Sequence, residues 1–309
     1  MEKLIVSSSP HIHGKANTQT IMRDVLIALA PATVAAVVLF GLKALLIICT
    51  CVASSVLSEF IFNKLAKKQT TVGDLSAVVT GLLLALNLST NVTLWQCLVG
   101  SVFAIVVVKC AFGGLGYNFA NPAITARVML LVAFTEVSGG AMTQFAEITS
   151  GATPLEVIKS GEGKLPSILD MLIGNRGGAI GETCAIALIL GCVYLLVRKV
   201  ITWHTPVIYV GSVFLLSLLI KQDVSVALYE ILGGGLLIGA FFMATDYVTT
   251  PKRPLGKVVF ALGCAVLTVL IRFYGVYPEG VSFAILIMNI LTPFIDKMCK
   301  RKPFGGAKA

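Results

Sequence analysis

The feature that most restricts the fold of this chain is a series of about ten apolar runs, separated by polar segments that are mostly short. A run of roughly 17–25 apolar residues can cross a bilayer as a helix. Inside lipid, only helices and closed barrels satisfy their own backbone hydrogen bonds. Charged residues make up 13% of the chain, against roughly 25% in soluble domains. The sequence therefore predicts an all-α polytopic membrane protein in contact with the lipid bilayer.

The apolar runs divide the chain into five regions. We predict a cytoplasmic N-terminal segment (1–24), a first five-span half (25–137), a polar loop (138–177), a second five-span half (178–296) and a basic cytoplasmic tail (297–309). The ten spans lie near residues 25–40, 42–62, 72–88, 94–112, 123–137, 179–197, 206–220, 228–245, 258–273 and 281–295. Spans 3 and 8 are short and interrupted by glycine, which is typical of broken helices or half-helices.

The distribution of Lys and Arg sets the predicted orientation. With the N-terminus in the cytoplasm, eighteen of the 24 basic residues fall in inside segments and six in outside segments. Cytoplasmic loops carry the excess of Lys and Arg, so we place both termini in the cytoplasm. The multi-pass chain then lies in the cell (cytoplasmic or inner) membrane, with loop 138–177 on the extracytoplasmic side. The net charge of +9 reports this bias, and we expect no nucleic-acid partner.

Two halves of five spans each can be related only by inversion in the membrane, because five is odd. A weak internal repeat supports this arrangement. Gly81-Leu82-Leu83 in span 3 is echoed by Gly235-Leu236-Leu237 in span 8, and Gly116–Ala120 before span 5 is echoed by Gly280–Ala284 at span 10.

The longest polar interval contains Thr153 followed by Pro154 and, three residues after the threonine, Glu156. This spacing predicts a capping box with proline at the first helical position. The small residues Ser150, Gly151 and Ala152 before it leave the Thr153 hydroxyl sterically open. A helix N-terminus favours a phosphate, so Thr153 either carries a phosphorylated group or simply caps a loop helix.

Several common redox and metal motifs are missing from the sequence. None of the eight cysteines forms a CxxC pair, and no GxGxxG segment follows a predicted strand. We therefore expect no metal site, no iron–sulfur cluster and no dinucleotide site in this chain.

Four segments resemble the RnfD/NqrB family of membrane subunits from ion-translocating electron-transfer complexes. They are Ser150–Thr153, with Glu147 where the family often has Asp; Gly114–Ala123; Phe242–Pro251, with Tyr247 where Pro is usual; and Tyr277–Asp296. Residues Ser8–His11, with Thr20–Met22 and Pro31, also resemble the N-terminus of the family. The resemblance therefore runs from residue 8 to residue 296, and it is closest to the D subunit of the Rnf complex.

The resemblance implies a redox subunit of a translocase that moves Na⁺ or H⁺ in a ferredoxin:NAD oxidoreductase complex. It implies FMN joined to Thr153 by a phosphoester bond, a flavin transferase for maturation, and a second, non-covalent riboflavin in some members. The partners would be the other membrane, flavin and iron–sulfur subunits, and this chain alone would hold no complete active site.

Three further polar residues could serve such a cofactor or an ion. The carboxamides of Asn118 and Asn121 offer the donors and acceptors that suit the polar edge of an isoalloxazine ring, although interhelical hydrogen bonding would also explain them. Asp246 at a span end is a candidate for the ion pathway, or a cap of the following loop. The alternative function is a secondary transporter or channel for a small polar solute, built on the inverted repeat.

Other charged residues lie close enough to the predicted span ends to be interfacial, with their charged groups reaching water. They are Glu59, Lys109, Glu182, Glu230 and Asp296. We assign no role to any of them alone.

The predicted topology can be tested by cysteine labelling. In a cysteine-free background, Ser160→Cys should react with an impermeant maleimide on intact cells, because loop 138–177 is predicted to lie outside. Lys308→Cys should react only after the membrane is permeabilised. The opposite labelling pattern would overturn the predicted orientation.

Overall fold

The computed structural model describes residues 17–134, 153–161, 165–275 and 279–299. These residues form helices and turns without any β-strand, which confirms the predicted all-α class. The first group of helices is α1 (Thr18–Phe40), α2 (Leu42–Leu65), α3 (Ser76–Leu86), α4 (Leu94–Val102, continued by a π-helical segment Phe103–Cys110) and α5 (Pro122–Ala133).

Two short helices, α6 (Pro154–Ser160) and α7 (Ile168–Ile173), follow in the long polar interval. The second group has six helices, and it matches the five of the first group when α10 and α11 are taken as one interrupted span. It comprises α8 (Ala185–Val197), α9 (His204–Lys221), α10 (Val224–Leu232), α11 (Leu236–Ile238, continued by a π-helical segment Gly239–Met243), α12 (Pro254–Tyr274) and α13 (Val281–Met298).

Helix length separates full spans from partial ones. Five of the described helices, α1, α2, α9, α12 and α13, are long and apolar enough to cross a membrane, and α10 with α11 makes a sixth candidate that bends by 60° at its break. Four shorter apolar helices account for the other predicted runs. The number of ten complete spans therefore remains a prediction, whereas the polytopic membrane class is confirmed.

Helix α1 begins at Thr18, earlier than the predicted first span. Asn17 caps it in a reciprocal capping box with Thr20, which fixes the start of the helix. The additional helical residues include Asp24, a buried carboxylate that accepts hydrogen bonds from Tyr194 at 3.2 Å and from Arg198 at 3.2 Å. Because these partners lie on or next to α8, the start of α1 is tied to the second half.

The helices of the two groups pack in the same order. Helix α2 contacts α3 and α4, as α9 contacts α10 and α12. The groups meet where α1 packs on α8 and α5 packs on α13. Equivalent helices thus pair across the junction, as a two-fold repeat requires.

Glycine has different roles in spans 3 and 8, although the Gly-Leu-Leu sequence that the two spans share suggested a single role. Gly81 lies inside α3, where its lack of a side chain allows close packing on α2. Gly234 and Gly235 lie between α10 and α11 with φ values of 63° and 68°, a left-handed conformation that glycine adopts without steric cost. Span 3 is therefore a half-helix of 11 residues, and span 8 is a broken helix.

Large apolar side chains cover the outside of the bundle. Among those exposed are Val34, Leu42, Leu57, Leu215, Leu219 and Leu255. A soluble monomer rarely exposes extended apolar patches, so these faces of α1, α2, α9 and α12 are suited to lipid or to neighbouring membrane subunits.

The close contact at Gly81 gives a direct test of the packing. A Cβ at Gly81 would lie 2.7 Å from the carbonyl oxygen of Cys51 and 2.9 Å from Val52 Cα, both of which are backbone atoms. Gly81→Ala should therefore destabilise the protein by about 1–3 kcal/mol, as overpacked cores do. The measurement is the apparent Tm of the detergent-solubilised protein.

Gly211→Ala in α9 is the matched control, because a Cβ there meets no atom within 4 Å. It should leave the Tm unchanged or raise it, since alanine favours helices over glycine by about 1 kcal/mol. Equal effects of the two substitutions would contradict the packing of α3 on α2.

Candidate functional sites

The capping box predicted at Thr153 is present in the structure. Thr153 Oγ1 accepts a hydrogen bond from the Glu156 amide at 3.3 Å, and the Glu156 carboxylate accepts one from the Thr153 amide at 2.6 Å. Pro154 occupies the first turn, and Gly161 ends α6 with a φ of 73°. The hydroxyl oxygen thus faces the N-terminal amides of α6, although this helix has only seven residues.

Thr153 is 3% exposed, so the expectation of a sterically open hydroxyl is wrong. Pro154, Leu155 and Val157 are buried as well, and α6 packs against α10. Leu155 and Arg176 Nη1 both lie within 4 Å of the position that a Cβ on Gly233 would take. The predicted site residues Ser150, Gly151 and Ala152, together with Glu147, lie outside the described residues.

The other three predicted site residues, Asn118, Asn121 and Asp246, line one cavity, which we call the asparagine cavity. Its free volume is about 80 Å³. Its apolar walls come from both halves of the chain and include Val79, Leu83, Val200, Ile201 and Phe242. The sequence predicted these polar residues separately, and the structure brings them together.

The two asparagines have different roles in the wall of this cavity. The Asn121 carboxamide oxygen caps α5 by accepting from the Ala123 amide at 3.0 Å. Asn118 is buried, and its carboxamide oxygen has no hydrogen-bond partner among the described residues. A buried acceptor without a donor is costly, so Asn118 offers a free acceptor to a group bound in the cavity.

Asp246 forms the loop cap that the sequence allowed as an alternative. Its carboxylate accepts from the Val248 amide at 3.4 Å and from the Thr249 hydroxyl at 3.1 Å. Burial raises the pKa of this carboxyl above its ordinary value, while these hydrogen bonds partly oppose the shift. Since Asp246 also faces the cavity, capping does not exclude a role toward a bound ion or cofactor.

A second cavity of about 430 Å³ adjoins the asparagine cavity. The two share Val200, Ile201, Thr245 and Tyr247 as lining residues. The larger cavity also contains Lys199, Lys252 and Lys257. Tyr247, which replaces the usual proline of the family motif, therefore stands in the wall between the two spaces.

Glu59 and Lys109 are not interfacial, contrary to the sequence interpretation. Both are buried, and the Lys109 ammonium lies 2.9 Å from each Glu59 carboxylate oxygen and 2.6 Å from Ser76 Oγ. The π-helical end of α4 carries Lys109 to the start of α3. A buried ion pair of this kind is strongly destabilised if one partner is removed, so it fixes α2, α3 and α4 together.

A second group of charges, mostly buried, lies between α3, α5 and the break in α10–α11, and none of its residues was predicted as a site residue. Arg127 pairs with Glu279 and donates to the Asn87 carboxamide oxygen at 2.6 Å. Arg272 pairs with Glu230 at 2.7 Å. The signal available in the sequence was the costly placement of an arginine within span 5 and another within span 9.

Lys109 and three buried arginines correct the basis of the predicted orientation. Arg127 and Lys109 were counted inside, and Arg176 and Arg272 outside, but all four are buried. Buried residues held by internal partners do not report loop charge. Removing two residues from each side leaves sixteen against four, so the inside bias remains.

Arg176 and Glu182 complete the group without pairing through their charged ends. Arg176 Nη2 donates to the backbone oxygens of Glu182 at 2.9 Å and Leu232 at 2.6 Å. Both carboxylate oxygens of Glu182, and Nε and Nη1 of Arg176, have no hydrogen-bond partner among the described residues. We call Arg127, Arg176, Glu182, Arg272, Glu230 and Glu279 the arginine–glutamate cluster.

Comparison with known proteins identifies the family. The model of the NQR2, RnfD, RnfE family matches residues 5–305. The chain belongs to this family. It is 47% identical over 309 residues to the D subunit of the Na⁺-translocating ferredoxin:NAD⁺ oxidoreductase complex of Acetobacterium woodii, covering 99% of this chain and 96% of the relative.

Two further relatives carry related descriptions. The chain is 39% identical to the D subunit of the proton-translocating ferredoxin:NAD⁺ oxidoreductase complex of Clostridium ljungdahlii, covering 97% of this chain and 96% of the relative. It is 33% identical to the D subunit of an ion-translocating oxidoreductase complex of Halorhodospira halophila, covering 96% and 94%. The resemblance seen in the four sequence segments is therefore confirmed over the whole chain.

Proposed function

We propose that this chain is a membrane redox subunit of an ion-translocating ferredoxin:NAD oxidoreductase complex and that it carries FMN on Thr153. The observation that carries the proposal is the capping box at Thr153, which directs the hydroxyl oxygen toward the N-terminal end of α6. Near-complete coverage by relatives described as D subunits of such complexes supports the assignment. The partners would be the other subunits of the complex.

The residues around Thr153 fit a phosphoester. Helix N-terminal amides stabilise negative oxygen atoms, and here the Glu156 amide already donates to Thr153 Oγ1. Glu156 itself is engaged by the Thr153 backbone amide, which limits its repulsion of a phosphate. When bound, FMN would supply one- and two-electron redox chemistry that no side chain provides.

The burial of Thr153 has a consequence for maturation. A flavin transferase must reach the hydroxyl, but Thr153 and Leu155 are buried where α6 packs on the bundle. We propose that the transferase acts on Thr153 before α6 docks against Gly233 and Gly234. Docking would then hold the modified residue in place.

We further propose that the asparagine cavity and the adjoining cavity together accept a non-covalent flavin such as riboflavin. The free acceptor of Asn118 suits the N–H of a pyrimidine ring, and Val79, Leu83 and Phe242 offer apolar surface to the remaining rings. Because the two cavities share Thr245 and Tyr247 in their walls, such a ligand would extend past Tyr247 into the larger space.

A secondary transporter is the second candidate function. The 60° break between α10 and α11 favours it, because discontinuous helices commonly form transporter substrate sites. The colour of the denatured protein distinguishes the two candidate functions, because a transporter needs no covalent chromophore. The redox subunit should remain yellow and fluorescent after denaturation.

The first prediction of this proposal concerns the attachment site. Thr153→Val, in a host that has the flavin transferase, should abolish in-gel flavin fluorescence because it removes the hydroxyl but keeps the side-chain shape. Thr149→Val in the same segment is the matched control and should stay fluorescent. Persisting fluorescence in Thr153→Val protein, or its loss in the control alone, would contradict the assignment. Peptide mapping by mass spectrometry locates the FMN.

The second prediction concerns Asp246. Asp246→Asn retains size and hydrogen bonding but removes the charge, so it should slow ion transport, and electron transfer with it if the two are tightly coupled. Covalent FMN should remain. Thr249→Val is the control that removes one capping partner and leaves the carboxylate, and it should have the smaller effect. Wild-type rates for Asp246→Asn across a range of cation concentrations would exclude the ionic role.

A further inference from the structure

Glu182 is a buried carboxylate that lacks the partners which buried charges normally have. The residue is 2% exposed, and neither carboxylate oxygen meets a donor among the described residues. A Cβ on Gly178 would lie 2.9 Å from Oε1, and a Cβ on Gly235 would lie 3.3 Å from Oε2. Two glycines therefore enclose the carboxylate closely. An ionised carboxylate in such a place is expensive unless something neutralises it.

The neighbouring charges do not provide that neutralisation directly. The charged groups that face Glu182 are Arg127 of α5, Arg176 of its own segment, Arg272 of α12 and Glu279 before α13. Arg127 and Arg272 are already paired with Glu279 and Glu230. Arg176 donates to the backbone oxygen of Glu182 and leaves its carboxylate free.

A metal cation is not the group that this geometry favours. Na⁺ needs several oxygen ligands, and the carbonyl oxygens around the break already accept from arginine. Arg272 uses those of Glu230, Gly233 and Gly234, and Arg176 uses those of Leu232 and Glu182. A proton needs no such shell, because an O–H bond on Glu182 removes the charge itself.

The position of Glu182 connects it to the candidate flavin site. Arg176 Nη1 and Leu155 both lie within 4 Å of the position of a Cβ on Gly233, and Leu155 is two residues from Thr153. Helix α6, which begins directly after Thr153, thus packs on the break between α10 and α11. The carbonyl oxygens of this break accept hydrogen bonds from Arg176 and Arg272. An electron placed near Thr153 would raise the proton affinity of a carboxylate in this low-dielectric cluster.

We propose that Glu182 is a proton-exchanging residue that takes up one proton when one electron reaches the flavin on Thr153, and that Arg176 positions it. The electron comes from a one-electron reductant and the proton from water. Uptake forms one O–H bond on the Glu182 carboxylate, and reoxidation of the flavin releases that proton. The inference rests on the proposed attachment of FMN to Thr153.

The test is a redox-difference infrared spectrum of the flavin-loaded complex, reduced with dithionite in H₂O and in D₂O. Reduction should produce the carbonyl band of a protonated carboxyl, with an isotope shift in D₂O. Glu182→Gln should lose this band, and Glu182→Asp should keep it at a shifted frequency. The reduction potential of the covalent flavin should fall with rising pH in the wild type and less steeply in Glu182→Gln.

Glu230→Gln is the matched control, because Glu230 is also buried in the cluster but is paired with Arg272. It should retain the band, because the proposal assigns that band to Glu182. A band that survives in both Glu182 variants at its wild-type frequency, or no band in the wild type, would overturn the proposal. If Glu182→Gln protein fails to assemble, the test rests on Glu182→Asp. A shifted carbonyl band in that variant supports the proposal, and a band at the wild-type frequency overturns it.

In-gel fluorescence, checked first, separates the two proposals. Protein without flavin at Thr153 would refute the attachment, whereas flavin-loaded protein whose band does not depend on Glu182 would refute the proton role alone.

Discussion

The broken helix α10–α11 depends on arginine side chains for the hydrogen bonds that its backbone has lost. At the break, the carbonyl oxygens of Leu232, Gly233 and Gly234 have no helical partner, and Arg176 or Arg272 donates to each of them. Irregular backbone at membrane depth is tolerated only where protein or a wet cavity satisfies it. Arg176 and Arg272 therefore have a structural role, because they satisfy the backbone carbonyl oxygens at the break. Their charge then requires Glu230 and Glu279 nearby, which brings ionisable residues into the centre of an apolar bundle.

The half-helix α3 meets the same constraint by a different route. The carbonyl oxygen of its last residue, Leu86, accepts from the Gly181 amide at 2.7 Å, and that of Leu88, just beyond the helix, accepts from the Ile180 amide at 2.9 Å. The segment before α8 thus completes α3, and it also carries Arg176 and Glu182. One short stretch of chain satisfies the ends of both interrupted spans. This explains why the two spans, distant in sequence, terminate around one polar cluster.

Local features of the fold could be predicted from the sequence, whereas the polar pairings could not. The capping box at Thr153 depends on residues three apart, and the interruption of spans 3 and 8 depends on their own glycines. Arg127 and Glu279 are separated by 152 residues, and no local pattern signals such a pair. Lys109 and Glu59 were assigned to the interface for the same reason, since each looks like a residue at a span end. Asn118, Asn121 and Asp246 were found individually, but their shared cavity required the packing of α1, α3 and α8.

Helix α11 and its π-helical continuation connect the arginine–glutamate cluster to the asparagine cavity. At one end of α11, Gly235 borders Glu182 and Arg127; at the other, its π-helical continuation ends at Met243, three residues before Asp246. Asn87 links this element to α3, because it donates to Met243 Sδ at 3.6 Å while its carboxamide oxygen accepts from Arg127. A shift of α11 along its axis would disturb the arginine–glutamate cluster and the asparagine cavity together. Since π-helical segments occur often at functional sites, α11 is the element through which a charge change beside Thr153 could act on a cavity bordered by Asp246.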